Sequence, residues 1–365
     1  MLLLGLRAEN YRNIERVDIS FEKGVNLLFG ENAQGKTNAL ECIYSFARGK
    51  SFRQASDADL VRFGSEGFSA EISFRNKERD QTLAYRFSKG ERRRERNGIV
   101  LTKQSDMIGH FRAVLFYPEH LQLIKGGPAE RRGFLNIAIS QCYPVYLKLY
   151  ADYTRILENR NCLLKLAQKG MPCDAAELMS WSEALAQTAA RIHLYRKKYV
   201  SSLETHARLL LRDLSGERED LSLFYESDTE GETEEELRLA YFKALSEDVR
   251  REISAGCTLT GVHRDDLGVN INGISARSFA SQGQQRSIVL ALKLAEGEVS
   301  REITGEYPVF LFDDVLSELD EGRRAYVLSD PGERQFILTA CETSGFNRET
   351  VRMIPVSGGC FGGES

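Results

Sequence analysis

The chain has 365 residues, 42% apolar and 28% charged, a composition suited to a packed globular core and without a run of about 20 apolar residues that could serve as a membrane span. A net charge of −4 excludes a protein that coats nucleic acid through overall positive charge, so any such contact must come from local basic patches. The seven cysteines are scattered with no Cys-x-x-Cys pair, and no basic segment leads a long apolar stretch after Met1, so a cytoplasmic protein with reduced thiols and no membrane partner is expected.

The first third reads as strands. Short apolar or alternating runs fall at residues 2–8, 17–21, 25–29, 68–74, 81–87 and 114–116, and Asn97-Gly98 fits a hairpin turn. Residues 134–169 read as one amphipathic helix, ended by Gly170-Met171-Pro172, and residues 175–211 as a second. An acidic loop at 228–236 and a helix over 234–254 follow. Strand texture returns at Cys257, with a second hairpin signal at Asn272-Gly273. A helix over 284–300, a strand at 309–312, a helix at 321–328 and a strand at 335–339 come next, and the Gly-rich tail 357–365 reads as mobile.

Gly30-Glu31-Asn32-Ala33-Gln34-Gly35-Lys36-Thr37 matches G-x-x-x-x-G-K-[ST] and lies between an expected strand and a helix beginning at Asn38. Glycines let successive backbone N–H groups curl around one phosphate, and the helix N-terminus adds partial positive charge. Lys36 is the candidate cation for the β- and γ-phosphates, and Thr37 the candidate hydroxyl for Mg²⁺. The apolar run ending in Asp313-Asp314 supplies the acidic partner: Asp313 for Mg²⁺, and Asp314 to orient or deprotonate the attacking water.

Phosphate loops serve kinases, GTPases, helicases and transporters alike. Ser281-Gln282-Gly283-Gln284, ahead of a helix, separates these. It resembles the Ser-Gly-Gly-Gln signature of the ATP-binding-cassette superfamily, where small polar residues at a helix start form an anion site for the ATP of the opposite subunit. A polar helix cap is the plainer reading of the same residues. Ser317-Glu318-Leu319-Asp320 resembles that superfamily's D-loop.

Taken together, Glu9-Asn10-Tyr11-Arg12-Asn13, residues 126–132, Gly261-Val262-His263-Arg264-Asp265-Asp266, residues 281–287 and residues 313–320 resemble the bacterial RecF family, whose members are similar to SMC proteins with a shortened arm. The resemblance implies an α/β fold: an ATP-binding-cassette P-loop ATPase head with an antiparallel β subdomain, built from residues 1–115 and 256–365, and an inserted helical arm, 116–255. It implies ATP and Mg²⁺ as cofactors, with Arg12, Asn38 and Thr339 joining the phosphate loop and the signature as ATP-contacting residues. It also implies an ATP-dependent homodimer and weak DNA-dependent ATP hydrolysis. The implied role is gap repair on duplex DNA or a single-strand/double-strand junction, with RecO and RecR and, indirectly, RecA. Four departures stand out: Asp314 where transporter ATPases carry Glu, Gln282 at the second signature glycine, Thr339 where a His sensor would stand, and Asn136 where the family often has Asp.

Basic clusters at Arg92-Arg93-Arg94 with Arg96, at Arg131-Arg132, at Arg155, Arg160 and Lys165, and at Arg191, Arg196, Lys197 and Lys198 are candidate phosphate contacts or solvated helix faces. The rival functions are an ATP-binding DNA scaffold with little turnover, a transporter-type ATPase subunit and a small-molecule kinase. ATPase rates with and without DNA separate them.

Overall fold

The structure is a computed structural model that describes residues 1–77, 79–316, 319–329 and 331–362. In chain order the elements are β1 (Leu2–Tyr11), β2 (Ile14–Ser20), β3 (Gly24–Phe29), α1 (Lys36–Arg48), β4 (Gly67–Asn76), β5 (Arg79–Ser88), β6 (Glu91–Arg96), β7 (Ile99–Leu101) and β8 (Ala113–Phe116). Then come α2 (Gln122–Lys125), α3 (Pro128–Cys142), α4 (Pro144–Gln168), α5 (Ala175–Ser215), β9 (Leu221–Glu226), α6 (Glu234–Glu247), α7 (Val249–Ala255), β10 (Asp266–Ile271), β11 (Ile274–Ser275) and α8 (Ala276–Phe279). The last are α9 (Gln282–Thr304), β12 (Val309–Asp313), α10 (Glu321–Ser329), β13 (Gln335–Ala340), β14 (Val351–Ser357) and β15 (Cys360–Phe361).

Two compact units result, the first of Met1–Leu121, Asp213–Gly216 and Arg286–Ser365, the second of Gln122–Arg212 and Glu217–Gln285. The first holds a mixed sheet in the order β15-β14-β3-β13-β12-β8 and an antiparallel sheet in the order β2-β1-β4-β5-β6-β7. Strands β8, β12, β13, β3 and β14 are parallel. Every residue of β12 and β13 is buried, as expected of parallel strands covered on both faces. The antiparallel strands alternate instead: Phe68, Ala70, Ile72 and Phe74 of β4 join the core with Leu40, Ile43 and Phe46 of α1, while their neighbours face outward.

Register brings the chemistry to one edge. Asp313 is opposite Thr339, Thr339 is opposite Leu28, and Ala340 is opposite Phe29. The carboxyl ends of three parallel strands therefore meet where β3 turns into the phosphate loop, the edge at which open α/β sheets bind ligands.

The second unit is helical with one small sheet, β11-β10-β9. Because β10 pairs with β9 along its whole length, residues 256–285 fold with the helices, not with the first unit, and the expected boundary after residue 255 shifts to Gln285. The single helix expected over 134–169 is two, because Pro144 has no N–H to donate and pushes Tyr143 to φ −126° and ψ 97°. The helix expected over 234–254 is likewise divided at Asp248. The tail expected to be mobile is ordered over 357–362, where β15 pairs back on β14. No helix among the described residues is long and apolar enough to cross a membrane.

Candidate functional site

The phosphate loop begins where β3 ends. Gly30 lies at φ +154°, and a Cβ there would collide with the carbonyl oxygen of Val356. Gly35 lies at φ +112° and precedes α1, so the loop enters the helix through a backbone that an L side chain resists. Lys36 is buried, and its Nζ donates to the carbonyl oxygens of Gly30 and, at 2.8 Å, Glu31. Thr37 Oγ1 donates to Asp313 Oδ1 at 2.9 Å, and Thr339 Oγ1 donates to the same oxygen at 2.8 Å. The N–H of Asp314 donates to Thr339 Oγ1 at 2.9 Å. Burial holds the Asp313 carboxyl above the ordinary aspartate range, opposed by the two hydroxyl hydrogen bonds.

An open cavity of about 500 Å³ lies over the loop. Asn32, Ala33, Gln34, Gly35, Lys36, Thr37, Asn38, Asp314 and Thr339, nine of the sequence candidates, line it. Two further residues line it that were not among the candidates, Asn13 and Arg53. Asn13 Nδ2 donates to the carbonyl of Ala33 at 3.0 Å, and its Oδ1 accepts from Asn38 Nδ2 at 2.7 Å. Arg53 Nη1 donates to Asn38 Oδ1 at 2.9 Å. Arg53 follows α1 by five residues in a stretch with no local motif, so its position comes from the fold.

Arg12, a candidate for ATP contact, is outside the cavity lining. It makes a two-pronged pair with Glu41, at 3.1 and 2.8 Å, and donates to the carbonyl of Asp59 at 3.1 Å. Glu41 is fully buried, and its bond to Arg12 raises the guanidinium above its ordinary range. As it stands, Arg12 holds α1 against the first hairpin.

The donor set suits the expected cofactors. Thr37 and Asp313 offer adjacent hard oxygens of the kind Mg²⁺ selects, and the glycine cradle and Lys36 match a polyphosphate.

The signature belongs to the second unit up to Gln285. Ser281, Gln282 and Gly283 are exposed. Gln284 N donates to Ser281 Oγ at 3.3 Å, and Ser281 N donates to Gln284 Oε1 at 2.9 Å. These bonds form a reciprocal capping box at the start of α9. Of the D-loop candidate, Ser317 and Glu318 lie outside the described residues; Asp320 Oδ1 accepts from Arg323 N at 2.9 Å at the start of α10.

Several basic candidates are committed inside the protein. Arg160 is fully buried against Glu252 at 2.6 Å, with Ser182 and Thr258 as further acceptors. Arg196 is fully buried and donates to Tyr146 Oη, Asn136 Oδ1 and the carbonyl of Val262. Arg131 grips Asp266 with two bonds, at 2.8 and 2.6 Å. These three are not solvated-face residues, because each cation sits where only a matched acceptor set makes burial tolerable. Arg92 pairs with Asp57 at 2.5 Å and Arg93 with Glu95 at 2.5 Å, both partly exposed. Lys165 and Lys198 are exposed.

Parallel strands ending at a phosphate loop, with paired carboxylates one strand removed, define a P-loop ATPase, and the polar helix start at Ser281 together with the comparisons that follow places it in the ATP-binding-cassette class. The family model for the RecF/RecN/SMC N-terminal domain matches residues 2–357. The DNA replication and repair protein RecF of Staphylococcus haemolyticus is 38% identical over 96% of this chain and 96% of its own. A solved structure of the recombination mediator protein RecF with ATP, in the RecFOR pathway, superposes with a TM-score of 0.91 at 32% identity, covering 99% of this chain and 96% of that chain. An Smc head domain from Pyrococcus furiosus shares the fold alone, with a TM-score of 0.58 at 18% identity over 99% of this chain and 95% of that chain. The chain belongs to the RecF family of DNA replication and repair proteins.

Proposed function

We propose that the chain is an ATP-driven dimeric DNA clamp for the repair of gapped DNA, and that Gly30 through Asn38 hold ATP. The observation that carries this reading is the cluster of Thr37, Asp313 and Thr339 on one carboxylate oxygen, beside a lysine and an open cavity. Lys36 exchanges its loop carbonyls for phosphate oxygens, a charge-assisted contact of the stronger kind. Thr37 and Asp313 hold Mg²⁺, which when bound neutralises phosphate charge. Asp314 lines the cavity and orients the attacking water, taking its proton; as the shorter carboxylate it fits slow hydrolysis. Thr339 holds Asp313 and the backbone of Asp314 in register. Arg12 and Arg53 serve the loop's flank, Arg12 through Glu41.

Ser281, Gln282, Gly283 and Gln284 contact the ATP of a second copy, so that ATP closes a homodimer. The exposed cap fits a site completed from outside its own subunit. The clamp acts in the cytoplasm on duplex DNA or a single-strand/double-strand junction, with RecR and RecO as partners and RecA loading as the downstream event. The head comprises 1–121, 213–216 and 286–365, and residues 122–212 and 217–285 form the arm with the signature at its end.

The test is ATP hydrolysis with no DNA, single-stranded, duplex and gapped duplex DNA, across salt. Stimulation by duplex or gapped DNA that fades with salt is expected, since phosphate contacts release counterions. Equal rates in all four conditions sink the DNA-coupled reading.

A further inference from the structure

Strand β14 and the turn that follows it close against the phosphate loop at three places. Beside β3, β14 sets Pro355 opposite Phe29, and its carbonyl at Val356 occupies the space a Gly30 side chain would need. The turn that follows then donates twice to one residue of the loop. Gly358 N donates to Gln34 Oε1 at 2.5 Å, and Gly359 N donates to Gln34 O at 3.0 Å. Gly359 is buried at φ +80°, and a Cβ there would stand 2.6 Å from the carbonyl oxygen of Asn13.

These bonds decide which way peptide groups face. In a trans peptide the carbonyl of one residue and the N–H of the next point in opposite directions. Asn13 Nδ2 holds the carbonyl of Ala33, so the N–H of Gln34 points the other way. Gly359 N holds the carbonyl of Gln34, so the N–H of Gly35 points away from the turn. A phosphate cradle requires successive N–H groups to be turned inward with their carbonyls outward, and needs them so before the anion arrives, because reorganisation subtracts from affinity.

We propose that the Gly358-Gly359 turn is a positioning element of the phosphate cradle, with Gly359 and Gln34 as its positioning residues, acting together with Asn13. The inference rests on the reading of this loop as the ATP site. Gly359→Ala pushes the turn off both Asn13 and Gln34, freeing the Gln34–Gly35 peptide to rotate. Gln34→Ala removes only the side-chain half of the brace. The strain control is Gly90→Ala, at φ +87° with open space around it and remote from the loop in sequence.

The experiment is mant-ATP titration with Mg²⁺ on the full chain, with steady-state hydrolysis and thermal melting of each variant. Gly359→Ala is expected to bind about tenfold more weakly and Gln34→Ala about threefold, the cost of one or two backbone hydrogen bonds. KM should rise in step while kcat stays within about twofold. Gly90→Ala, strained by its φ alone, should lose less stability than Gly359→Ala and bind as wild type does. Wild-type affinity in folded Gly359→Ala overturns the proposal. So does a fall in kcat that tracks melting with KM unchanged, since loss of folded protein lowers the active fraction only. If Gly359→Ala does not fold, wild-type affinity in Gln34→Ala overturns it. Failure of the wild-type chain itself to bind mant-ATP sinks the reading of the site, a result distinct from failure of the brace.

Discussion

The phosphate loop and the signature are both glycine-containing polar stretches at a helix start, and they are built in opposite ways. The loop is held from outside itself: Asn13 from the first hairpin and Gly359 from the final turn bond to it, and Asp313 of β12 accepts from Thr37 at the start of α1 while Thr339 of β13 holds that carboxylate in place. The signature is held by itself, through the two bonds between Ser281 and Gln284. Preorganisation of the first lowers the cost of taking up an anion. In the second, the Gln284 N–H that would face an anion is already satisfied by its own cap, so a ligand must displace Ser281 Oγ or share it. The comparison teaches that one stretch is braced by distant parts of the chain while the other is capped within itself, the arrangement that the proposed ATP-closed dimer calls for.

The sharpest way to break that contrast is Ser281→Arg. The bulky cation should leave mant-ATP affinity of the monomer within about twofold, yet drive hydrolysis and ATP-dependent dimer formation to background, with Ser281→Ala as the control for the cap, worth about 1 kcal/mol. Mixing Ser281→Arg with Lys36→Met should restore partial hydrolysis, because a mixed dimer has one site with an intact loop and an intact signature. Loss of ATP binding in isolated Ser281→Arg means that the signature acts within its own subunit.

Asp314→Asn tests the catalytic half of the loop. It should slow phosphate release by about 10²–10⁴-fold while ATP still binds, because proton transfer is lost and Asp313 remains. Unchanged turnover removes Asp314 from the water-positioning role. Lys36→Met should weaken mant-ATP binding by about 100-fold, the loss of two charge-assisted contacts; wild-type affinity removes the loop from nucleotide binding.

A further effect concerns the second unit alone. His193 and His263 are pushed from 6.5 down to about 4, chiefly by burial, and His263 Nδ1 lies 2.6 Å from Tyr153 Oη. Both histidines stay neutral in the folded chain while the unfolded chain takes up protons below pH 6.5. Their contribution to stability is therefore complete above pH 6.5 and lost as pH falls toward 4, by up to about 1.4 kcal/mol per pH unit for each. Urea melts at pH 7.5, 6 and 5 check the sign, and His263→Phe should flatten the dependence. A rise in stability on acidification refutes the assignment.

Much of the site was legible before the fold. The phosphate loop and Asp313-Asp314 are contiguous stretches whose chemistry depends on local spacing, and nine of the candidates line one cavity. Even the strand preceding the loop was readable, since a buried parallel strand is a continuous apolar run. Arg53 was not legible as a cavity residue, because nothing in its neighbourhood marks it; Asn13 lay within the quoted Glu9–Asn13 motif, yet its place at the cavity comes from the fold. Arg12 was expected at the ATP through the family resemblance; its pairing with buried Glu41 carries no sign in the sequence and comes from the packing of α1. Arg160 and Arg196 look like exposed cations among helical polar residues, while burial and acceptors 22 or more residues distant await them.

The tail shows the same limit most sharply. Pro355 and the glycines of 357–365 argue against a strand on local grounds, yet β14 pairs with β3 and the turn beyond it grips Gln34. Sequence alone determined the loop, the carboxylates and the polar helix start at Ser281, because local backbone geometry and residue chemistry act over a few positions. Tertiary structure decided which cations are free, where the second unit begins, and what holds the loop's peptides in place. Those outcomes depend on burial and on hydrogen-bond partners far away along the chain, as with Gln34 and Gly358, 324 positions apart.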